Sequence, residues 1–149
     1  MYVLDTDHLS ILRHQSGDEY FRLTRRMDRH SETAFFVSIV SFHEQVLGFH
    51  AMLQAARSRE DTLKAFRLFD QTLRDFSQLQ VLPFDGKTYD TLQQVRATSR
   101  RVAINDMRIA ATAMSRGYVV LTRNTVDFGR IPGLMIEDWL ADDEVTGAM

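Results

Sequence analysis

The chain has 149 residues, 44% of them hydrophobic and 26% charged, which is the composition of one globular domain large enough to bury its own core. It has no cysteine, which excludes disulfide scaffolds, thiolate metal sites and cysteine nucleophiles, and its formal net charge of −2 is unevenly spread. No apolar run reaches the ~18 residues of a membrane span, and no basic region leads into an apolar stretch at the N-terminus, so a soluble cytoplasmic protein is expected.

Tyr2-Val3-Leu4 reads as a short buried strand, ended by Asp5-Thr6-Asp7, which can cap a following helix from Asp7 to Arg13. Residues 33–40 (TAFFVSIV) are β-branched and aromatic, a second strand. Ser41 opens a helix in which Phe42, Val46, Phe49 and Leu53 recur at helical spacing. A long helix is expected over 59–78, with Leu63, Phe66, Leu73 and Phe76 turned to the core. Val81-Leu82-Pro83 is a third strand, and Asp85 starts a helix running to about Ser99. Residues 105–116 (NDMRIAATAMSR) form an Ala-rich helix closed by Gly117. Strands four and five fall at 118–121 and 134–136. Strands alternating with helices of ten or more residues predict an α/β fold, a central, mostly parallel sheet of about five strands covered on both faces. The domain is expected over 1–140, with a solvated acidic tail at 141–149.

Sixteen of the eighteen basic residues are Arg, a side chain suited to bidentate grip on phosphate, although a GC-rich coding sequence favours Arg as well. Seven Arg against Asp106 and Asp127 between Arg96 and Arg130 give that stretch a local charge of +5.

In an open parallel sheet, ligands bind beyond the carboxyl ends of the strands. Four acidic residues map there: Asp5 after strand one, Glu44 in the first turn after strand two, Asp106 in the first turn of its helix, and Asp127, with Asn124 beside it, after strand four. Carboxylates gathered this closely repel unless neutralised, and the usual neutraliser for oxygen ligands is Mg²⁺ or Mn²⁺. Such a site predicts metal-assisted hydrolysis of a phosphodiester. Each residue also has a structural reading. Ser41-x-x-Glu44 matches a capping box, Asn105 and Asp106 can cap their own helix, and Asp127 can be a turn residue. Asp5 is the exception, because a carboxylate directly after a buried strand needs a partner.

These segments resemble the PIN-domain family, specifically the VapC-type toxins of bacterial toxin–antitoxin systems. Tyr2-Val3-Leu4-Asp5-Thr6-Asp7-His8-Leu9-Ser10 is similar to the family's N-terminal signature. Residues 38–48 (SIVSFHEQVLG) and 104–113 (INDMRIAATA) resemble its second and third motifs. Leu121-Thr122-Arg123-Asn124-Thr125-Val126-Asp127-Phe128, with Ile131-Pro132-Gly133-Leu134 and Glu137-Asp138-Trp139, is similar to its closing segment. The resemblance implies a three-layer α/β/α domain and a Mg²⁺- or Mn²⁺-dependent endoribonuclease. Asp5, Glu44 and Asp106 would be the core acidic residues, Asp5 and Asp106 the metal ligands, and Asp127 the fourth acid with Asn124 as its polar supporter. Some relatives place the fourth acid where Asn124 stands. Thr6 and Thr122 would orient ligands or water, and Arg100, Arg101, Arg108 and Arg123 would contact RNA phosphates. Arg108 has a structural alternative, pairing with an acidic neighbour on its helix. A cognate antitoxin and a homodimer are implied as partners, with Phe and Met of residues 41–78 as one source of an apolar face. Two departures from the family pattern stand out: Asp7 replaces the common Asn, either strengthening metal binding or capping its helix, and Ala103 replaces a Gly.

Three other readings fit parts of the sequence. Asp5-Thr6-Asp7 after a strand also fits the aspartyl-phosphate nucleophile motif of the haloacid dehalogenase type, but Leu9 stands where that family has Thr or Val, and its later Gly-Asp pair is missing. A zincin helix fails because Leu47 occupies the position of the second His. A non-catalytic PIN module binding RNA or a protein is the remaining alternative, which turnover alone separates from the enzyme.

Overall fold

The computed structural model describes residues 1–142, so 143–149 of the expected acidic tail lie outside the described residues. The chain runs β1 (Tyr2–Leu4), α1 (Thr6–His14), α2 (Asp18–Met27), a 3-10 turn (Glu32–Ala34), β2 (Phe35–Ser38), α3 (Ile39–Ala55) and α4 (Arg59–Ser77). It continues through β3 (Val81–Leu82), α5 (Gly86–Thr98), α6 (Ile104–Met114), β4 (Val119–Leu121), α7 (Thr125–Phe128) and β5 (Ile136–Glu137). No helix among the described residues is long and apolar enough to cross a membrane.

All five strands pair in parallel, in the order β3-β2-β1-β4-β5. Strand direction being common to the whole sheet, every carboxyl end lies on one rim. The chain adds strands on one side of β1 and then returns to the other, so the β1/β4 boundary is the point where the order reverses and a crevice opens.

Alternating side chains on the strands feed two cores. Val3 and Val120 face Val40, Leu92, Val95, Met107, Ile109 and the alanines of α6. Leu4, Phe35, Val37 and Leu121 face Leu9, Leu23, Phe76 and Trp139. Helices α3, α5 and α6 thus contribute to one face and α1, α2 and α4 to the other, which is the expected three-layer α/β/α architecture. Ala110, Ala111 and Ala113 are fully buried and keep α6 close to the sheet. Gly117, with φ of +72°, turns the chain out of α6 as its position predicted.

Four expectations change. The second strand is shorter than 33–40, because Ser31 caps a 3-10 turn and Ser38 turns the chain into α3, its hydroxyl accepting the Val40 N–H at 3.0 Å. Helix α3 therefore starts at Ile39 rather than Ser41, and no capping box forms. Strand five sits at Ile136–Glu137 rather than 134–136. On α4, Phe76 is buried, but Leu63, Phe66 and Leu73 are exposed on one stripe.

Helix α2 was not anticipated. Asp18 and Glu19 at its start and Arg25 and Arg26 at its end complement the helix dipole, and Tyr20, Leu23 and Met27 recur at helical spacing, Leu23 buried and Met27 packed against the same core. Arg13 ties α1 to the α3–α4 hairpin, donating to Asp75 at 2.7 Å, Thr72 at 3.3 Å and Gln45 at 3.5 Å.

Leu23→Ala is expected to cost about 3 kcal/mol, the usual penalty for emptying a closed leucine site. Leu73→Ala, on the exposed stripe, should cost under about 1 kcal/mol. Urea unfolding of the two variants beside the wild type measures both.

Candidate functional site

Asp5 follows β1 at the strand-order reversal and is only 7% exposed. Its backbone N–H bonds the Leu121 carbonyl at 2.9 Å, continuing the β1–β4 pairing by one residue. Its carboxylate accepts the Thr122 hydroxyl at 2.9 Å and the backbone N–H of Thr6. Thr122 is fully buried, and its oxygen accepts the Asn124 N–H at 3.0 Å, so the donated proton is aimed at Asp5. Thr6 serves through its main chain.

Burial pushes the Asp5 carboxyl up to about 6, the Thr6 and Thr122 hydrogen bonds opposing it and the Asp7 and Asp106 charges adding to it. Asp106 is raised as well, first by desolvation and then by Asp127 and Asp7. Glu44 is raised by desolvation and by Asp106, with His43 pulling the other way. Asp106 therefore stands between the others, close enough to act on Asp5 and Glu44 and to be acted on by Asp127. The structure brings all four sequence-predicted acids to one rim.

Glu44 reaches that rim differently than expected. It is the sixth residue of α3, in the second turn, and makes no cap contact. Its Oε1 is buried without a partner, as is the Oγ of Ser41 one turn earlier on the same helix. Ser38 and Ser41, both fully buried, were missed because serines beside a helix start read as caps. Asp106 lies in the first turn of α6, whose N-cap residue, Ala103, supplies no side-chain acceptor.

Asp127 and Asp7 are acids of another kind, already held by the protein's own donors. Asp127 accepts Asn124 Nδ2 at 3.0 Å and Arg130 at 3.2 Å, while Asn124 Oδ1 caps α7 by accepting the Asp127 N–H at 3.4 Å. Asn124 thus supports Asp127 through both its amide groups. Asp7 accepts from His8 and from the Arg123 N–H, and these bonds outweigh desolvation to hold its carboxyl below the ordinary value.

The arginines divide in the same way. Arg108 donates to Asn105 Oδ1 at 2.8 Å rather than to an acidic neighbour. Arg123 pairs with Glu19 on α2. Arg100 and Arg101 are exposed and have no ion pair or side-chain hydrogen bond among the described residues. With Arg130 they line an open depression of about 330 Å³ at the α5–α6 turn.

Oxygen-only donors, three carboxyls raised by burial and by neighbouring carboxylates, and an orphaned Glu44 Oε1 fit a hard divalent cation. Among the described residues no three acidic or imidazole groups lie where they could hold one ion together. Mg²⁺ does not need three, since it commonly takes one or two carboxylates and keeps its waters.

The PIN domain family model matches residues 2–134, and the chain belongs to that family. It is 45% identical over 67 residues to the tRNA(fMet)-specific endonuclease VapC of Salmonella typhimurium, covering 42% of this chain and 51% of that protein. The chain thus spans about half the length of the curated relatives it matches. Its fold is similar to the DNA-bound VapBC structure from Salmonella typhimurium, with TM-score 0.68, 26% identity and coverage of 93% of this chain and 97% of that one. FitAcB from Neisseria gonorrhoeae is similar in fold, with TM-score 0.68, 24% identity, and coverage of 93% and 98%.

The raised Asp5 carboxyl has a stability consequence. The folded chain holds this proton more tightly than the unfolded chain does, at about 6 against 3.8. Stability from this group is therefore full below the lower value and is lost as pH rises through the upper one. Asp5→Asn, which keeps an acceptor for Thr122, is expected to be more stable than wild type at pH 7 by on the order of 2 kcal/mol. The difference should shrink toward pH 4, and thermal unfolding across that range in EDTA measures it.

Proposed function

We propose that the chain is a metal-dependent endoribonuclease, cleaving RNA phosphodiester bonds, and that it is the toxin of a toxin–antitoxin pair in the cytoplasm. The observation that carries this reading is the set of three carboxyls, Asp5, Glu44 and Asp106, gathered at the strand-order reversal of a PIN domain and raised by burial and by neighbouring carboxylates that include Asp7 and Asp127. The relatives named as VapC nucleases and the VapBC structures support it.

Asp5 and Asp106 would hold Mg²⁺ or Mn²⁺, with Glu44 facing the same space. When bound, the ion supplies a bound water of lowered pKa and charge stabilisation at the scissile phosphate. The chain's own contribution is to keep this pocket poised for a cation. Thr122 and the Thr6 N–H orient Asp5, and Asn124 and Arg130 fix Asp127 at the edge of the acidic field. Arg100 and Arg101, unpaired among the described residues beside Arg130, suit them to the RNA backbone on either side of the cut. Arg108 and Arg123 would reach phosphate only by exchanging Asn105 and Glu19 for it.

An acidic rim attracts a basic side chain as well as a metal, which gives a cognate antitoxin its means of inhibition. The exposed Leu63, Phe66 and Leu73 of α4, with Leu47 of α3, supply the apolar face of a homodimer.

The deciding experiment is incubation of RNA with the purified chain in Mg²⁺, Mn²⁺ or EDTA, beside Asp106→Asn. Discrete cuts that need metal and vanish in the variant are expected, with a loss of at least about 10²-fold for one charge removed from the centre. Identical silence of wild type and variant under every metal would leave a binding module instead. In the same assay Arg100→Ala with Arg101→Ala should weaken RNA binding and flatten its log–log salt dependence by about two charge equivalents. The turnover of bound RNA should change little.

A further inference from the structure

Asp7 and His8 lie beside the site, and neither has a role in the chemistry above. Both oxygens of Asp7 face donors only. Oδ1 accepts the His8 backbone N–H at 2.6 Å and lies 2.7 Å from His8 Nδ1. Oδ2 accepts the Arg123 N–H at 2.9 Å, with the Thr122 hydroxyl at 3.5 Å. The His8 ring is fully buried, and its Nε2 accepts the backbone N–H of Trp139 at 3.0 Å. A nitrogen that accepts a main-chain N–H carries no proton, so in this neutral ring the proton is on Nδ1 and is donated to Asp7. Asp138 Oδ1 stands 3.7 Å from Nε2 and instead accepts the Leu140 N–H at 2.9 Å. Free imidazole prefers the opposite tautomer, so the fold selects this one.

We propose that His8 is a positioning residue of the acidic site. Its Nδ1–H locks the Asp7 carboxylate, which holds the Arg123 main chain and so keeps the Thr122 hydroxyl on Asp5, while its Nε2 anchors that arrangement to the C-terminal segment at Trp139. The catalytic consequence rests on the nuclease reading; the positioning itself does not.

The all-donor surroundings also specify Asp over Asn at position 7. An Asn side chain would turn its NH₂ either toward the two His8 donors or toward the Arg123 N–H. In both orientations donor meets donor: the first leaves the His8 backbone N–H and Nδ1–H without their acceptor, the second the Arg123 N–H. His8 and Asp7 therefore act as a unit, whose double change costs far less than the sum of the single ones.

Nitrogen-resolved NMR of the wild-type imidazole tests the first element without any variant. A protonated Nδ1 and a bare Nε2 at neutral pH are expected, and the reverse tautomer would overturn the proposal. The second measurement compares His8→Leu, which fills the space without a donor, with His8→Asn, whose amide N–H can replace Nδ1–H. In His8→Leu the Arg123 amide should lose hydrogen-exchange protection, Mn²⁺ affinity read by thermal shift should fall about tenfold, and kcat should drop with KM little changed. His8→Asn should restore most of each. Wild-type protection of the Arg123 amide in a folded His8→Leu would show His8 to be core packing and end the proposal. A wild type that neither binds Mn²⁺ nor cuts RNA would sink the nuclease reading alone, because the Arg123 amide still reports on His8.

Discussion

A carboxylate at the end of a central parallel strand is the constraint around which this molecule is arranged. Asp5 has β2 and β4 flanking its strand and helices above and below, so its charge sits in low dielectric with few routes to water. The all-parallel sheet that buries it also sends every other strand end, and the start of every helix that follows, to the same rim. Helix α6 enters that rim with Ala103 in place of a capping side chain, so no cap side chain answers its first N–H groups. What offsets part of the cost of ionising Asp5 is the Thr6 backbone and the Thr122 hydroxyl.

The acidic residues separate by whether the protein answers them. Asp7 and Asp127 have their oxygens occupied by His8, Arg123, Asn124 and Arg130. Asp5 has two donors that fall short of its desolvation, and Glu44 Oε1 has none. A fold selected for stability alone would have answered all of them, as it has answered Arg13 and Arg116 with several acceptors each. In the proposed reading, the charge left unanswered at Asp5, Glu44 and Asp106 is stability withheld for a metal ion. Among the cations the logic is mirrored at Arg100 and Arg101, which stay open while their neighbours are paired.

Most of the fold was legible because strand and helix alternate with strong periodicity, and β1, α5 and α6 fall within a residue or two of where their sequences put them. Helix α2 escaped although Tyr20, Leu23 and Met27 keep helical spacing, because that stripe is short and set among charged residues. Leu63, Phe66 and Leu73 keep helical spacing and yet face outward, because spacing reports a shared face and not which face is covered. Ser38 displaced Ser41 as the cap of α3, which turned Glu44 from a capping partner into a half-buried acid whose Oε1 has no partner. The four acids were readable through strand ends. His8 was not, since its role depends on Trp139, more than a hundred residues away along the chain.

That long link shows where the boundary of the site lies. Side chains from α1 and α2 hold the segment after β5: His8 takes the Trp139 N–H, Arg22 donates to the Leu140 carbonyl at 2.9 Å and Arg26 to the Asp138 carbonyl at 3.0 Å. The same two helices reach the rim through Asp7 and through Glu19, which holds Arg123. Trp139 packs in turn against Tyr2 and Phe35 on the two central strands. Displacing the 137–140 segment would thus free donors and acceptors on α1 and α2 together, and the first groups to feel it would be Asp7 and the Arg123 main chain. The acidic site is in this sense not confined to its carboxylates. Its outer wall is built from the C-terminal segment, and the orientation of Asp5 depends, through Thr122, on that wall remaining closed.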